Sequence, residues 1–565
     1  MYTEMQTVWD QLTGQGGPFE VVEAEVGGNL LKTYATAPPS LRELWLSSLA
    51  FADRDYLVFQ DERKTYAEAH ADVAAIANWL LQQGIKPGDR IAIAMRNYPE
   101  WLLIYWACMT QGIAIVGMNA WWVEEEMAYG LEDSTPKILF CDQERLDRFN
   151  NIRDNFTDIH VVTVRCASAN DTDIAYETVT ATPGVLPDQT VAPDDDACIF
   201  YTSGTTGRPK GAQLTHRGCV SNIMNIAFFG NLGTLTTALV DKVAPPNPED
   251  AVPISGLITT PLFHVTANNC LAQAATASGG KLALMYRWDA EDALKIIEAE
   301  KITNLTGVPV MSRELISHPD FEKYDTSSLL SVGGGGAQLQ PDLVAKIDKA
   351  VATARPSTGY GMTETCGIIS SISGDFFVDK PDSCGRAVPT LDAKCFDAEG
   401  NEVAQGEVGE MWVKGAPVIK GYLNRPDATA ESITDGWLHT GDVARIDKEG
   451  FIFVVDRVKD MVLRGGENIY CAEVESVVFH IDGVAECTVF GVEDDRLGEE
   501  VGLAVVLAPG SNLDAEAIRT QCAARMAKFK IPRYIWLMTE SLPRNASGKF
   551  LKRELRESLK ISNAA

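Results

Sequence analysis

The sequence predicts an α/β protein in two parts. A large N-terminal domain holds two αβ-layered subdomains and a small β-barrel-like unit, and a small α+β C-terminal domain follows. Three observations predict it. Strand-like and helix-like runs alternate over residues 40–150 and again over 281–311. From residue 385 onward the runs shorten and are split by Gly, Asn and Asp. After Asp456 a compact αβαβ pattern begins that is long enough for a core of its own. A chain of 565 residues also exceeds what one simple core holds.

Each element has its own signal. YAEAHADVAAIANWLLQQG (66–84) spaces its apolar residues as a helix and stops at Gly84. RIAIAM (90–95) is a short apolar strand, EWLLIYWACMTQG (100–112) an apolar helix, and IAIVGMN (113–119) the next strand. KILFCD (137–142) and HVVTV (160–164) continue the series. Uniformly apolar strands alternating with helices imply a mostly parallel sheet covered on both faces. KLALM (281–285), WDAEDALKIIEAEKI (288–302) and TNLTGVPVM (303–311) repeat strand, helix, strand, and predict a second αβ layer. GEMWVKG (409–415) and GFIFVVD (450–456) are turn-bounded strands of the β-rich unit. The domain boundary is expected at DRVKD, with residues 1–455 before a hinge at 456–460 and residues 461–565 after it. That segment is neither Pro-rich nor Gly-rich, so it reads as a short hinge. Residues 231–256, containing APPNPED, read as a surface insertion.

Composition narrows the function. A net charge of −29 excludes nucleic-acid or anionic-lipid binding through bulk electrostatics. Anionic substrates would have to find local islands of cations and backbone N–H groups. The 12 cysteines form no CxxC pair, so zinc spacing is absent, and they read as reduced, buried thiols. No apolar run approaches a membrane span, and the start MYTEMQTVWDQLTGQGG lacks the basic and apolar regions of a secretory signal. These readings lead us to expect a cytoplasmic protein with no integral membrane segment; homo-oligomerisation stays open.

The strongest local signal is ACIFYTSGTTGRPKGAQLTH (197–216). A strand enters a loop of Gly, Ser and Thr that can turn sharply and aim backbone N–H groups at one anion. Thr202, Ser203, Gly204, Thr205, Thr206 and Gly207 form the loop, and Lys210 adds charge. It is not a Walker loop, because Lys210 leads into a second strand-like run and a helix begins only near Thr215. Taken alone, a loop of this composition is also compatible with a hairpin that binds nothing.

The full string resembles the phosphate-loop signature of the adenylate-forming superfamily: acyl-CoA synthetases, peptide-synthetase adenylation domains and beetle luciferases. Four further segments resemble that family's motifs in order, so the likeness extends from about residue 40 to the end. LLSVGGGGAQL (329–339) is similar to the stretch lining the adenine and acyl pockets, which implicates Gly334, Gly335, Gly336 and Ala337. STGYGMTETCG (357–367) implies that Tyr360 stacks on adenine, Thr363 contacts phosphate and Glu364 binds Mg²⁺. In 436–470 the resemblance assigns Asp442 to the ribose hydroxyls, Arg457 to ribose and phosphate, and Lys459 to the hinge. LPRNASGKFLKREL (542–555) supplies Lys549, which the family uses at the substrate carboxylate and α-phosphate.

The resemblance implies a large N-terminal domain under a small mobile C-terminal lid. It also implies ATP-dependent activation of a carboxylic acid as acyl-AMP, catalysed by Lys549, Glu364, Thr363 and Arg457, followed by transfer to CoA. For the second step the lid rotates, Lys549 leaves, and the loop with Arg464, Gly465 and Gly466 swings in beside the pantetheine arm. Lys528 and Lys530 are further candidates for CoA phosphates. TPLFHVTANNC (260–270) resembles the segment beside the acyl group, which places His264 and Val265 there with Gly336 and Gly361. No ionisable residue stands out to recognise an amino acid amine, which favours an apolar medium- or long-chain fatty acid or an aryl acid. Other fates of acyl-AMP within the family are carrier-protein loading, lactone formation and luciferase-like oxidation. A non-enzymatic ATP-binding protein would lack Glu364 and Lys549.

Overall fold

The computed structural model describes residues 1–202, 208–247, 252–336, 339, 341–465, 467–544 and 550–565. The chain divides into two compact units, Met1–Asp392 with Val413–Leu438, and Ala393–Trp412 with His439–Ala565.

The first unit is built on two sheets. One has the strand order Lys210–Thr215, Asp196–Thr202, Ala114–Gly117, Arg90–Ala94, Ile138–Cys141, His160–Thr163, Ile174–Ala175. It is parallel throughout except at the hairpin Asp196–Thr202/Lys210–Thr215. The other carries parallel strands in the order Arg355–Met362, Ser331–Gly334, Asn304–Gly307, Ser255–Ile258, Lys281–Leu284, Asp55–Phe59. The helix Pro99–Thr110 packs on strands of both sheets, and Trp101, Tyr105 and Trp106 are fully buried. Each such side chain contributes roughly 1.5–3 kcal/mol of burial free energy. That sandwiched position explains the helix's lack of a polar face. Tyr66–Gln82 opens with a capping box, in which the Thr65 hydroxyl accepts from the Glu68 N–H and the Glu68 carboxylate accepts from the Thr65 N–H.

Two expectations shift in this unit. The strand expected over 303–311 ends at Gly307, because Pro309 fits the first turn of the helix Pro309–Ile316. The insertion expected at 231–256 begins as helix: His216–Asp241 runs unbroken for 26 residues, started by Thr215, whose hydroxyl accepts from the Gly218 N–H at 3.0 Å. By length and composition this helix could cross a membrane, the one such helix among the described residues. Asn222, Asn225 and Asn231 hid it from a search for uninterrupted apolar runs. Its first half is buried, at Cys219, Val220, Asn222, Asn225 and Phe228, and it packs on the helix Tyr2–Thr13 and the strand Gly367–Ser373.

In the second unit Trp437–Ile446 pairs antiparallel with Phe451–Arg457, setting Asp442 opposite Arg457. A further sheet has the order Glu467–Ile469, Val462–Arg464, Gly498–Leu507, Val484–Asp494, with Tyr534–Met538 added in parallel to Gly498–Leu507. Val474, Val478, Val489, Leu503, Ile518 and Ile535 form its core. The boundary expected at 456–460 falls inside this unit, because the helix Cys471–Phe479 packs on the strand Phe451–Arg457 and draws the β-rich run to the C-terminal segment.

Candidate active site

In the first unit, Thr202 ends the strand Asp196–Thr202 and lies directly across the hairpin from Lys210. The Lys210 ammonium sits 4.8 Å from the centre of the Tyr422 ring. The Tyr422 hydroxyl donates to Glu364 Oε1 at 2.8 Å, and Glu364 is buried. Burial first, and the Glu364 carboxylate second, push the Tyr422 phenol far above its usual range, so it stays a donor. Lys210, Tyr422 and Glu364 thus form a line at the foot of the phosphate loop. Ser203, Gly204, Thr205, Thr206 and Gly207 themselves lie outside the described residues, as do Ala337, Gly466 and Lys549.

Glu364 is held by its backbone as well. Its carbonyl accepts from Ile419 N–H at 2.9 Å. Next to it, Cys366 takes a left-handed conformation (φ 53°). Two buried asparagines brace this turn. Asn222 accepts from Ile368 N–H at 2.9 Å and donates to the Asn269 carbonyl at 3.0 Å; Asn269 donates to the Cys366 carbonyl at 3.0 Å. Asn269 belongs to a π-helical turn, Asn268–Ala272, which begins three residues after Val265. The sequence reading missed Tyr422, Asn222 and Asn269; polar amides inside apolar runs were the available signal.

Tyr360 and Thr363 are half-buried, at the end of Arg355–Met362 and the start of the turn Thr363–Thr365. Gly361, assigned to the acyl pocket, is required closer by, because a Cβ there would lie 1.9 Å from the Gly367 carbonyl oxygen. The room left by its missing side chain is taken up by the hairpin itself. The glycine run divides in the same way. A Cβ at Gly333 would strike Ser357 and one at Gly334 would strike Leu339, whereas Gly335 and Gly336 look onto Thr266 at 3.6 Å and Val308 at 3.9 Å. Val265 is buried in the main core, so Thr266 is the residue of this segment that faces the glycines. His264 packs against Phe263, ring centres 4.7 Å apart.

Phe263 leads outward to a feature the sequence reading also missed. Its ring meets Trp121 edge-on at 5.6 Å. The Arg96 guanidinium lies 4.3 Å from the Trp121 ring and 4.9 Å from the Tyr286 ring, and donates to the Tyr286 carbonyl. Both aromatic rings are exposed, and Arg96 has no carboxylate in ion-pair range among the described residues.

In the second unit, Arg457 Nε lies 3.0 Å from Asp442 Oδ1, and Asp442 is buried. Lys459 is exposed. Of the side chains expected to meet CoA, Arg464 is engaged with Glu500 through two hydrogen bonds (2.6 and 3.0 Å), and Lys530 with Glu473 through two of 2.7 Å. Lys528 is exposed, and Gly465 adopts φ 60°, which suits glycine. Among the described residues no group of three or more His, Cys, Asp or Glu could hold a metal ion. A single carboxylate such as Glu364 suits only an ion that takes its other oxygens from phosphate and water.

Comparison with known proteins identifies the family and the fold. Residues 47–423 match the family described as AMP-binding enzyme, and residues 473–549 match its C-terminal domain. The chain is 36% identical over 495 residues to a feruloyl-CoA synthase of an Amycolatopsis species, covering 87% of this chain and 93% of that one. It is 32% identical to a 2-succinylbenzoate–CoA ligase of Geobacillus kaustophilus, covering 91% and 97%. Its fold superposes on ATP-bound MatB from Rhodopseudomonas palustris with a TM-score of 0.79 at 28% identity, covering 92% and 98%. The o-succinylbenzoate CoA synthetase of Bacillus subtilis, in complex with its acyl-adenylate intermediate, superposes with a TM-score of 0.76 at 28% identity, covering 93% and 99%.

Proposed function

We propose a function from one premise: this chain belongs to the family of AMP-binding enzymes. It is an ATP-dependent, AMP-forming acid–thiol ligase, which activates a carboxylic acid as acyl-AMP with release of pyrophosphate and passes the acyl group to CoA. The observation that carries the reading is the line from Lys210 through Tyr422 to Glu364.

Adenylation sets a carboxylate against the α-phosphate of ATP, and their repulsion grows as water leaves. Lys210 and the 202–207 loop take the phosphates, Tyr360 and Gly336 the adenine, Thr363 a phosphate oxygen, and Asp442 with Arg457 the ribose. Lys549 neutralises the meeting point of the two anions. No side chain acts as nucleophile; the protein positions the reactants and stabilises charge. Mg²⁺ fits Glu364, whose Oε1 accepts from Tyr422 and whose second oxygen has no hydrogen-bond partner among the described residues. When bound, that ion supplies positive charge to the phosphates. Thiol attack needs the space Lys549 occupies, so the C-terminal segment turns about 456–460 at Lys459 and presents Gly465 and Gly466 to the pantetheine arm.

The acid is apolar, aryl or medium- to long-chain fatty. Gly335 and Gly336 open onto Thr266 and Val308, with no charge among them. The relatives named feruloyl-CoA synthase and 2-succinylbenzoate–CoA ligase support the aryl arm. For CoA, the carboxyl ends of parallel strands support Arg96: it follows Arg90–Ala94, where the chain passes to Ala114–Gly117 on one side and Ile138–Cys141 on the other. The twelve free cysteines fit a reducing cytoplasm.

Pyrophosphate release across a panel of fatty and aryl acids, with and without CoA, tests the reaction. We expect acid-dependent pyrophosphate and CoA-dependent AMP turnover; sustained AMP release without CoA would point to another acceptor. Lys549→Ala is expected to abolish acyl-adenylate formation while transfer from supplied acyl-adenylate to CoA persists, and equal loss of both steps contradicts the division. Arg96→Met is expected to raise KM for CoA by about 10–100-fold, the worth of one charge-assisted hydrogen bond, with KM for ATP unchanged. A rise in KM for the acid instead would assign Arg96 to the acyl substrate.

A further inference from the structure

The second unit holds a cluster of charged side chains that nucleotide recognition leaves unused. Lys552 opens the helix Lys552–Ser558, with its side chain only 17% exposed and its ammonium 3.0 Å from Glu475 Oε1. The same oxygen accepts from the Thr488 hydroxyl at 3.0 Å and the Val489 N–H at 2.7 Å. Glu475 lies on the helix Cys471–Phe479, whose first N–H donates to the Asp456 carboxylate and whose Cys471 thiol donates to the Asp460 carbonyl at 2.9 Å. Asp456 and Asp460 bracket the expected hinge, and their charges add to the negative field at Lys552.

The other side of Lys552 is sequence. It stands three residues after Lys549, and both shoulders of that segment are pinned. Leu551 N–H donates to the Pro543 carbonyl at 2.9 Å, Arg544 and Phe550 form an antiparallel bridge, and Leu542 N–H donates to Glu486 at 2.9 Å. A buried lysine is a costly staple, since an apolar side chain of similar length would fill the space without desolvating an ion. What the ammonium adds is a directed hold on the Glu475 carboxylate.

We propose that Lys552 is a positioning residue for acyl-adenylate formation: it ties the stretch following Lys549 to Glu475 on the helix Cys471–Phe479, whose first N–H is held by Asp456 at the edge of the hinge. The inference rests on Lys549 acting in adenylation. Full-length Lys552→Met, Lys552→Arg, Glu475→Gln and Lys549→Ala variants are compared in pyrophosphate release and in transfer from supplied acyl-adenylate to CoA. A misplacement of about 1 Å costs on the order of 100-fold, so Lys552→Met should lower kcat for pyrophosphate release about 30–300-fold. KM for the acid and the transfer step should stay within about threefold by the same argument, and Lys552→Arg should recover most of the loss. Glu475→Gln, which keeps acceptors for Thr488 and Val489, should show the same selective loss and guards against a Lys552→Met chain that fails to fold. Normal pyrophosphate release in Lys552→Met or Glu475→Gln overturns the proposal, as does equal loss of both steps with a lowered Tm. If Lys549→Ala adenylates normally, the underlying reading falls instead, because that variant leaves Lys552 in place.

Discussion

Glu364 takes one hydrogen bond from Tyr422 and lies buried where a lone carboxylate is expensive. Such a residue is worth its desolvation when a cation arrives beside it. Glu364→Gln should therefore lower pyrophosphate release about 100–1000-fold, the usual loss for one preorganised electrostatic contact, and shift the Mg²⁺ titration to higher concentration. Tyr422→Phe should cause a smaller loss in the same direction, because Glu364 loses its orienting donor while Lys210 keeps its aromatic face. A Glu364→Gln enzyme with an unchanged Mg²⁺ titration would show that the ion sits elsewhere. Residue by residue, motif strings were legible because they are contiguous: GYGMTE announces Tyr360 and Glu364 together. Tyr422 was not, since 58 residues separate it from the carboxylate it orients. Gly361 shows the converse limit: a glycine in a motif reads as open space for ligand, yet here the space belongs to the Gly367 carbonyl.

Between elements, the strand Phe451–Arg457 and the helix Cys471–Phe479 meet at Asp456. Burial pushes its carboxyl up to about 6; Lys552 and the N–H groups of Arg457 and Cys471 pull it down, and Glu475 pushes it up. An unfolded Asp titrates at about 3.9, so the folded protein binds this proton more tightly. The stability it contributes is complete below that value and is lost as pH rises through about 6. A rise of this size corresponds to about 2–3 kcal/mol. Asp456→Asn cannot titrate. The unfolding free energy of the wild type relative to this variant should accordingly fall by about 2–3 kcal/mol between about pH 4 and pH 7 in urea titrations. A difference that stays flat, or rises, contradicts the assignment. This junction was poorly legible in the sequence. DRVKD signalled a hinge, but nothing local told that the helix beginning at Cys471 would dock on the strand before it. Helix and strand periods were clear where one face or both are buried, as at 66–84 and 90–95, and failed at 303–311, where proline chemistry overrode an apolar run.

At the scale of the whole molecule, the alternating texture gave away the two parallel sheets, because strands covered on both faces are apolar without interruption. The start of the helix His216–Asp241 was legible near Thr215, but its length was concealed by its asparagines, two of which turn out to brace or face buried partners rather than water. Charge is the property that belongs to the whole chain. At −29, the enzyme repels ATP and CoA over distances beyond contact, while its cations act only locally. Screening reaches about 10 Å at 0.1 M ionic strength and about 30 Å at 0.01 M, so added salt weakens the distant repulsion before it weakens pairs within the site. From about 0.01 to 0.15 M monovalent salt, kcat/KM for CoA should therefore rise, by about 2–10-fold, where a basic enzyme meeting an anionic substrate would slow. ATP should follow with a shallower slope, since Mg²⁺ cancels part of its charge before encounter. Initial rates at fixed free Mg²⁺ across that range decide the matter. A fall in kcat/KM over the whole range would mean that the field at the mouth of the site is already positive, and that Arg96 and Lys210 outweigh the acidic surface at a distance as well as on contact.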